Sequence, residues 1–181
     1  MPAEFGATPW GKAWLRTIEP TAVSRPNPLL PKARSLARNA AVTLRTAEAG
    51  RLDAEVSARG VVHRVAIEFP CWSGELSTEV AGLVADAAPV PGDLPDGLEA
   101  TLTRRGADIA APAGERAADC GCGAGDGPCA HVLAVLYAVV QRIDETPALA
   151  VELRCRAPLQ AAADPDWIPL SDVPVEGFYG T

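Results

Sequence analysis

The sequence contains no apolar run long enough to cross a bilayer. Its most apolar stretch, Val132 to Val140, falls far short of the ~20 residues a spanning helix needs. The start, Met1-Pro2-Ala3-Glu4, lacks the basic and then apolar pattern of a secretory leader, so a cytoplasmic protein is expected. No internal repeat is present, which excludes solenoid and propeller architectures. The two-residue spacer of thioredoxin-like dithiols is missing, because Cys120 and Cys122 are separated by Gly121 alone. The zinc deaminase pattern is also absent: Pro128-Cys129 is followed by Ala130-His131, and the only other histidine, His63, precedes Arg64-Val65.

What is present is a chain of 181 residues, 48% hydrophobic, long enough to bury a real core without cross-links. Its net charge of -7 is unevenly spread. Residues 1–70 carry ten Lys and Arg against six Asp and Glu, or +4, while residues 71–181 carry six against seventeen, or -11. Nucleic-acid contact through generic phosphate attraction is therefore confined to the N-terminal half, where Arg25, Lys32, Arg34 and Arg38 form the candidate strip. The alternative for those four is a solvated connector.

Thr8-Pro9-Trp10 reads as an N-cap with proline at the first helical position, followed by Trp10, Trp14, Leu15 and Ile18 at helical spacing. The tryptophans are expected in the core rather than stacked on bases. Pro20, Pro26, Pro28 and Pro31 suggest an extended connector. Period-two alternation then marks three strands: Ala40, Val42 and Leu44; Leu52, Ala54 and Val56; and Val61, His63, Val65, Ile67 and Phe69 on one face. His63 is read as a sheet-end core residue. Leu76, Val80, Leu83, Val84 and Ala87 return to the helical period, giving a helix expected to cover the sheet. A short helix is expected over Leu98 to Arg104, a loose hairpin within Asp108 to Asp119, and a strong helix with the stripe Val132, Val135, Leu136, Val139, Val140 and Ile143. Val151, Leu153 and Cys155 alternate as a last strand. The proline- and acid-rich remainder carries Trp167, Phe178 and Tyr179, which either anchor a partner or fold back.

The chemistry concentrates at Cys120-Gly121-Cys122 and, six residues on, Cys129-Ala130-His131, the spacing C-x-C-x(6)-C-x-H. Three thiolates and one imidazole saturate a tetrahedral zinc ion, whereas catalytic zinc generally keeps one position for water. One structural zinc and no enzymatic role are expected. Residues i and i+2 share a strand face, so Cys120 and Cys122 can reach one ion from a strand. In a helix they lie about 200° apart, so Cys129 belongs at the cap and His131 in the first turn. Cys71 and Cys155 have no partner motif and read as small buried hydrophobes.

At these residues the chain resembles the SWIM-type zinc finger, C-x-C, a gap, then C-x-H. The resemblance to bacterial proteins of that family extends over Phe5 to Glu19, Lys32 to Asn39, the strands up to Phe69, the Pro91 to Leu98 linker, and Ile143-Asp144-Glu145-Thr146-Pro147. It implies zinc binding and a role in protein or DNA interaction, sometimes beside a helicase of the chromatin-remodelling type, with no small-molecule substrate. This chain has Gly123-Ala124-Gly125 where the family often has a Cys-Pro-Asp-Trp-like loop, and Ala130 where it often has lysine. The finger thereby lacks an aromatic and a cation for nucleic acid.

The combined expectation is an α+β fold: an N-terminal helix, a three-stranded antiparallel meander with a covering helix, and a ββα zinc finger unit. Its divisions are 1–31 for helix and connector, 32–105 for meander and helix, 106–156 for the finger, and 157–181 for the tail. The function expected is a non-catalytic module for protein or nucleoprotein interaction, with direct DNA binding through the N-terminal half as the alternative.

Overall fold

The computed structural model describes residues 5–20, 27–87, 92–124 and 127–159. Arg25 and the tail from position 160 onward lie outside them. The fold is α+β, with a four-stranded antiparallel sheet in the order β1-β2-β3-β4.

Helix α1 (Pro9–Ile18) starts where expected. Thr8 is its extended N-cap, and the Thr8 hydroxyl accepts from the Gly11 N–H at 3.1 Å. Trp10, Trp14 and Ile18, spaced by four, are buried. A second helix, α2 (Leu30–Arg38), replaces the end of the expected extended connector. Pro31 occupies its first turn, where no backbone donor is needed, so the last proline of the series begins a helix instead of preventing one. Its buried face is made only of Ala33 and Ala37, a signal too small for apolar periodicity but suited to close packing on another helix.

The meander β1 (Val42–Glu48), β2 (Arg51–Ala58) and β3 (Val61–Glu68) forms as read, and Leu52, Ala54, Val56, Val65 and Ile67 are its buried face. Arg59 and Gly60 both have positive φ, 53° and 78°, which gives a two-residue turn the twist of the flanking strands. Val61, expected on the core face, is 53% exposed, because that face runs on past its cover near the hairpin. Beyond α3 (Gly74–Ala87) and α4 (Asp96–Arg104), the expected 108–119 hairpin does not form. A 3-10 turn (Ala113–Glu115) leads into β4 (Ala117–Cys120), which pairs with β3 through Val65 opposite Cys120 and Ile67 opposite Ala118. The finger's strand is thus the outer strand of the meander's own sheet.

Helix α5 (Ala130–Glu145) packs on the sheet and on α1 and α2, whereas α3 packs chiefly on α4. The helix covering the sheet is therefore α5, the metal-bearing one. Leu133, Ala134 and Tyr137 are buried along with the expected stripe, as befits a helix enclosed on several sides. The expected strand at Val151 to Cys155 is a short helix, α6 (Ala148–Glu152), and a turn. Ala148 to Val151 and Leu153 to Cys155 are all buried, including Arg154, so the alternation of apolar letters there did not reflect two faces.

The C-terminal end of α5 clamps the start of α1. The Asp144 carboxylate accepts from the Gly6 N–H at 2.7 Å, the Thr8 N–H at 2.9 Å and the Thr8 hydroxyl at 2.8 Å. A Cβ on Gly11 would lie 2.1 Å from Asp144 Oδ1. Gly→Ala inside a helix ordinarily stabilises by about 1 kcal/mol. Here Gly11→Ala is expected to destabilise by about 2 kcal/mol through overpacking, read as a lower denaturant midpoint with unchanged slope.

Candidate metal centre

The site is assembled where β4 ends and α5 begins. Gly121 N–H donates to Arg64 O at 3.0 Å, holding the end of β4 to β3, and Gly123 N–H closes a turn on Cys120 O at 3.4 Å. Gly123 has φ +65°, a conformation open to glycine, and the turn folds Cys122 back beside Cys120. The two thiols are therefore gathered by a turn at the strand's end, not by one face of a continuing strand. Across the site, Cys129 is the extended N-cap of α5, with φ -74° and ψ 172°, and His131 lies in its first turn, both as expected.

The four ligand atoms of Cys120, Cys122, Cys129 and His131 all lie within 4.8 Å of one another. Cys120 Sγ is 3.8 Å from His131 Nδ1. Zinc bonds of ~2.3 Å to sulfur and ~2.0 Å to nitrogen at tetrahedral angles place such atoms about 3.6 Å apart, so the donor set fits one shared ion. With three thiolates the bound site carries one net negative charge, and the N-terminal end of α5 supplies partial positive charge beside it.

The thiols differ in their tendency to ionise: their mutual hydrogen bonds disfavour ionisation of Cys120 and favour that of Cys122. Burial first, then the neighbouring Cys122 and Cys129 thiols, push Cys120 up to about 12. The Ala124 backbone N–H, foremost, holds Cys122 below the ordinary thiol range. Burial, then the charges of His63 and Lys32, lower His131, which favours the neutral imidazole a metal requires.

Residues 105–140 match the SWIM zinc finger family model. The match spans 36 of the 181 residues, so it is this segment that is similar to the SWIM zinc finger. No curated protein and no solved structure gives a significant match. The SWIM finger's Cys3His donors accommodate one structural zinc ion.

One neighbour of the SWIM centre was misread from sequence. His63, assigned to the core, stacks on His131 with ring centroids 4.2 Å apart and planes 17° from parallel. Its face of β3 also carries Val65, which lies opposite Cys120, but nothing in the sequence indicated that β4 would pair with β3. The stack braces the imidazole against the sheet.

The predicted phosphate strip is divided. Arg34 is bound to the Glu19 carboxylate through Nη2 and Nε and donates from Nε to the Tyr137 hydroxyl at 3.1 Å, while that hydroxyl donates to Glu19 at 2.5 Å. Burial raises the Glu19 carboxyl, but these hydrogen bonds outweigh it and leave Glu19 below its usual value. Arg38 lies over the Phe5 ring at 5.4 Å. Lys32 is exposed and points toward the finger, sharing a shallow depression with Cys122 and His131. Trp10 and Trp14 are fully buried and present no stacking surface.

Metal analysis is expected to give about one zinc per chain, and Cys122→Ser to lose it together with helical signal, since finger zinc contributes about 10–16 kcal/mol. The metal-free site holds thiol protons that the bound site releases. Zinc affinity should therefore fall as pH is lowered from about 8 to about 6, by about tenfold per pH unit for each proton released. His63→Ala should weaken zinc by roughly 2- to 10-fold in chelator competition, the worth of an aromatic stack, while His63→Phe retains most of it.

Proposed function

We propose that the chain is a non-catalytic adaptor, in which zinc fixes a surface that binds a protein or nucleoprotein partner. The reading is supported chiefly by a ligand set that fills all four tetrahedral positions with protein side chains, which suits a structural ion better than one activating water. Beside the four candidate ligands lies a groove of about 1080 Å³ between the end of α1, α2, β4 and the start of α5. Ile18, Leu30, Val132, Leu133 and Leu136 line it with apolar surface, and Cys120 and Cys129 form one wall. A concave apolar surface with a few polar groups is the usual form of a binding site. Because its walls come from both sides of the finger, its shape depends on the ion.

A helicase of the chromatin-remodelling type fits the resemblance as partner. Direct DNA binding remains the second reading, favoured by exposed Lys32 at the finger; Arg34 is occupied by Glu19 and Tyr137. It requires steep weakening with salt, reduced by about one unit of slope on Lys32→Ala.

Ala118 is exposed on β4 and lines the groove. Ala118→Arg is expected to abolish capture of the native partner while zinc content stays at about one per chain. Capture unchanged by Ala118→Arg and by zinc removal would exclude the adaptor reading.

A further inference from the structure

In the sheet order β1-β2-β3-β4, β4 is an edge strand, paired with β3 on one side only. The Gly121 N–H donates to Arg64 O, so Arg64 and Gly121 form a hydrogen-bonded pair at the end of this antiparallel ladder. Such pairs alternate with pairs whose backbone groups point away from each other. Counting back from Gly121, Asp119 and Ala117 bond to β3, whereas Cys120 and Ala118 aim their N–H and C=O groups outward. Cys120 O takes the Gly123 N–H at 3.4 Å. The Ala118 N–H, the Ala118 C=O and the Cys120 N–H have no backbone partner among the described residues. Ala118 and Cys120 both line the apolar groove, with Ile18, Leu30, Val132 and Leu133. They stand opposite buried Ile67 and Val65, so a strand laid beside β4 would turn every second side chain into that groove. The opposite edge, β1, is interrupted by a register shift between Leu44 and Thr46, a common guard against edge pairing, whereas β4 runs in regular register. Among the charged groove residues, Glu19 and Arg34 bond each other and Arg116 donates to Ala111 O. Asp119 is exposed and has no ion pair among the described residues.

We propose that the free edge of β4 takes an extended segment of a protein partner as a further antiparallel strand, with two apolar residues two positions apart and a lysine or arginine between them. This deepens the adaptor reading and rests on it. The apolar residue opposite Ala118 exchanges both its N–H and its C=O with Ala118, and the one opposite Cys120 accepts the Cys120 N–H. Their side chains enter the groove. The residue between them falls on the other face of the sheet, opposite Asp119, where a cation meets an unpaired carboxylate. Main-chain bonds give such strand addition its affinity, and the alternate side chains give it specificity. Cys120 belongs to the four candidate ligands, so the ion holds the end of the edge on which the segment lies.

The test uses the full zinc-loaded chain and the peptide acetyl-Lys-Val-Lys-Val-Lys-amide, followed by nitrogen-15 NMR and amide exchange. Saturable binding is expected to slow exchange of the Ala118 and Cys120 amides, both unprotected beforehand. Methylating the two valine nitrogens, which face β4, should weaken binding by about 10-fold or more, whereas methylating the central lysine nitrogen, which faces away, should leave it nearly unchanged. Asp119→Asn should weaken it by up to about 5-fold. Ala118→Pro removes only the outward donor of β4 and should also weaken the peptide, with zinc content kept at about one per chain. Should that variant not fold, the methylated peptides decide on the native chain alone. Equal affinity of the two methylated forms, no binding at millimolar peptide, or an Ala118 amide already protected in the free chain overturns the proposal. Capture of the native partner that is lost in Ala118→Arg but kept in Ala118→Pro removes strand addition and leaves the adaptor reading standing. Capture kept in both variants and without zinc removes both.

Discussion

Helix α5 has to satisfy two demands with one stretch of backbone. Its N-cap and first turn supply Cys129 and His131 to the metal, and from Val132 to Ile143 it is enclosed by the sheet, α1 and α2. An ion closing Cys120 and Cys122 against that N-terminal end therefore fixes the position of the whole central helix relative to β4. Because β4 is hydrogen-bonded to β3, the constraint passes into the meander. Metal and core are parts of one interaction, which is why an ion worth about as much as a domain's net stability should govern more than the finger itself.

The other end of α5 is held by different chemistry. Asp144 caps the chain before α1, and Gly11 admits that carboxylate because it has no Cβ. Midway, Tyr137 joins Glu19 and Arg34 in a hydrogen-bonded knot that links α1, α2 and α5. Charged groups here serve to orient helices: Glu19 and Arg34 are only partly shielded from water, so the knot contributes direction more than stability. Use of Arg34 in this knot also explains why a basic residue that looked available in the sequence is not a free phosphate contact.

Arg116, just before β4, lines the groove beside the finger and lies near the buried Arg154. A short strand thus carries a candidate metal ligand at its end and a groove wall along its length. Both are held by four residues of backbone paired to β3. This economy suits a binding module whose surface must be fixed without a large domain around it.

By itself the sequence determined the four candidate metal ligands, the three-stranded meander and helices α1, α3, α4 and α5. Each depends on short-range physics: ligand spacing, side-chain period and caps, all legible within a few residues. It did not reveal α2, because alanines on its buried face give little apolar contrast and Pro31 falls in a proline series that suggests an extended connector. It suggested a strand at 151–155, where burial on all sides removed the two-face pattern that alternation assumes. Only the tertiary structure decided that β4 joins β3, that His63 stacks on His131, that Arg34 is committed to Glu19, and that Arg154 is buried. Those outcomes depend on which distant segments meet, and contact between residues many positions apart is set by how all the apolar faces close together at once.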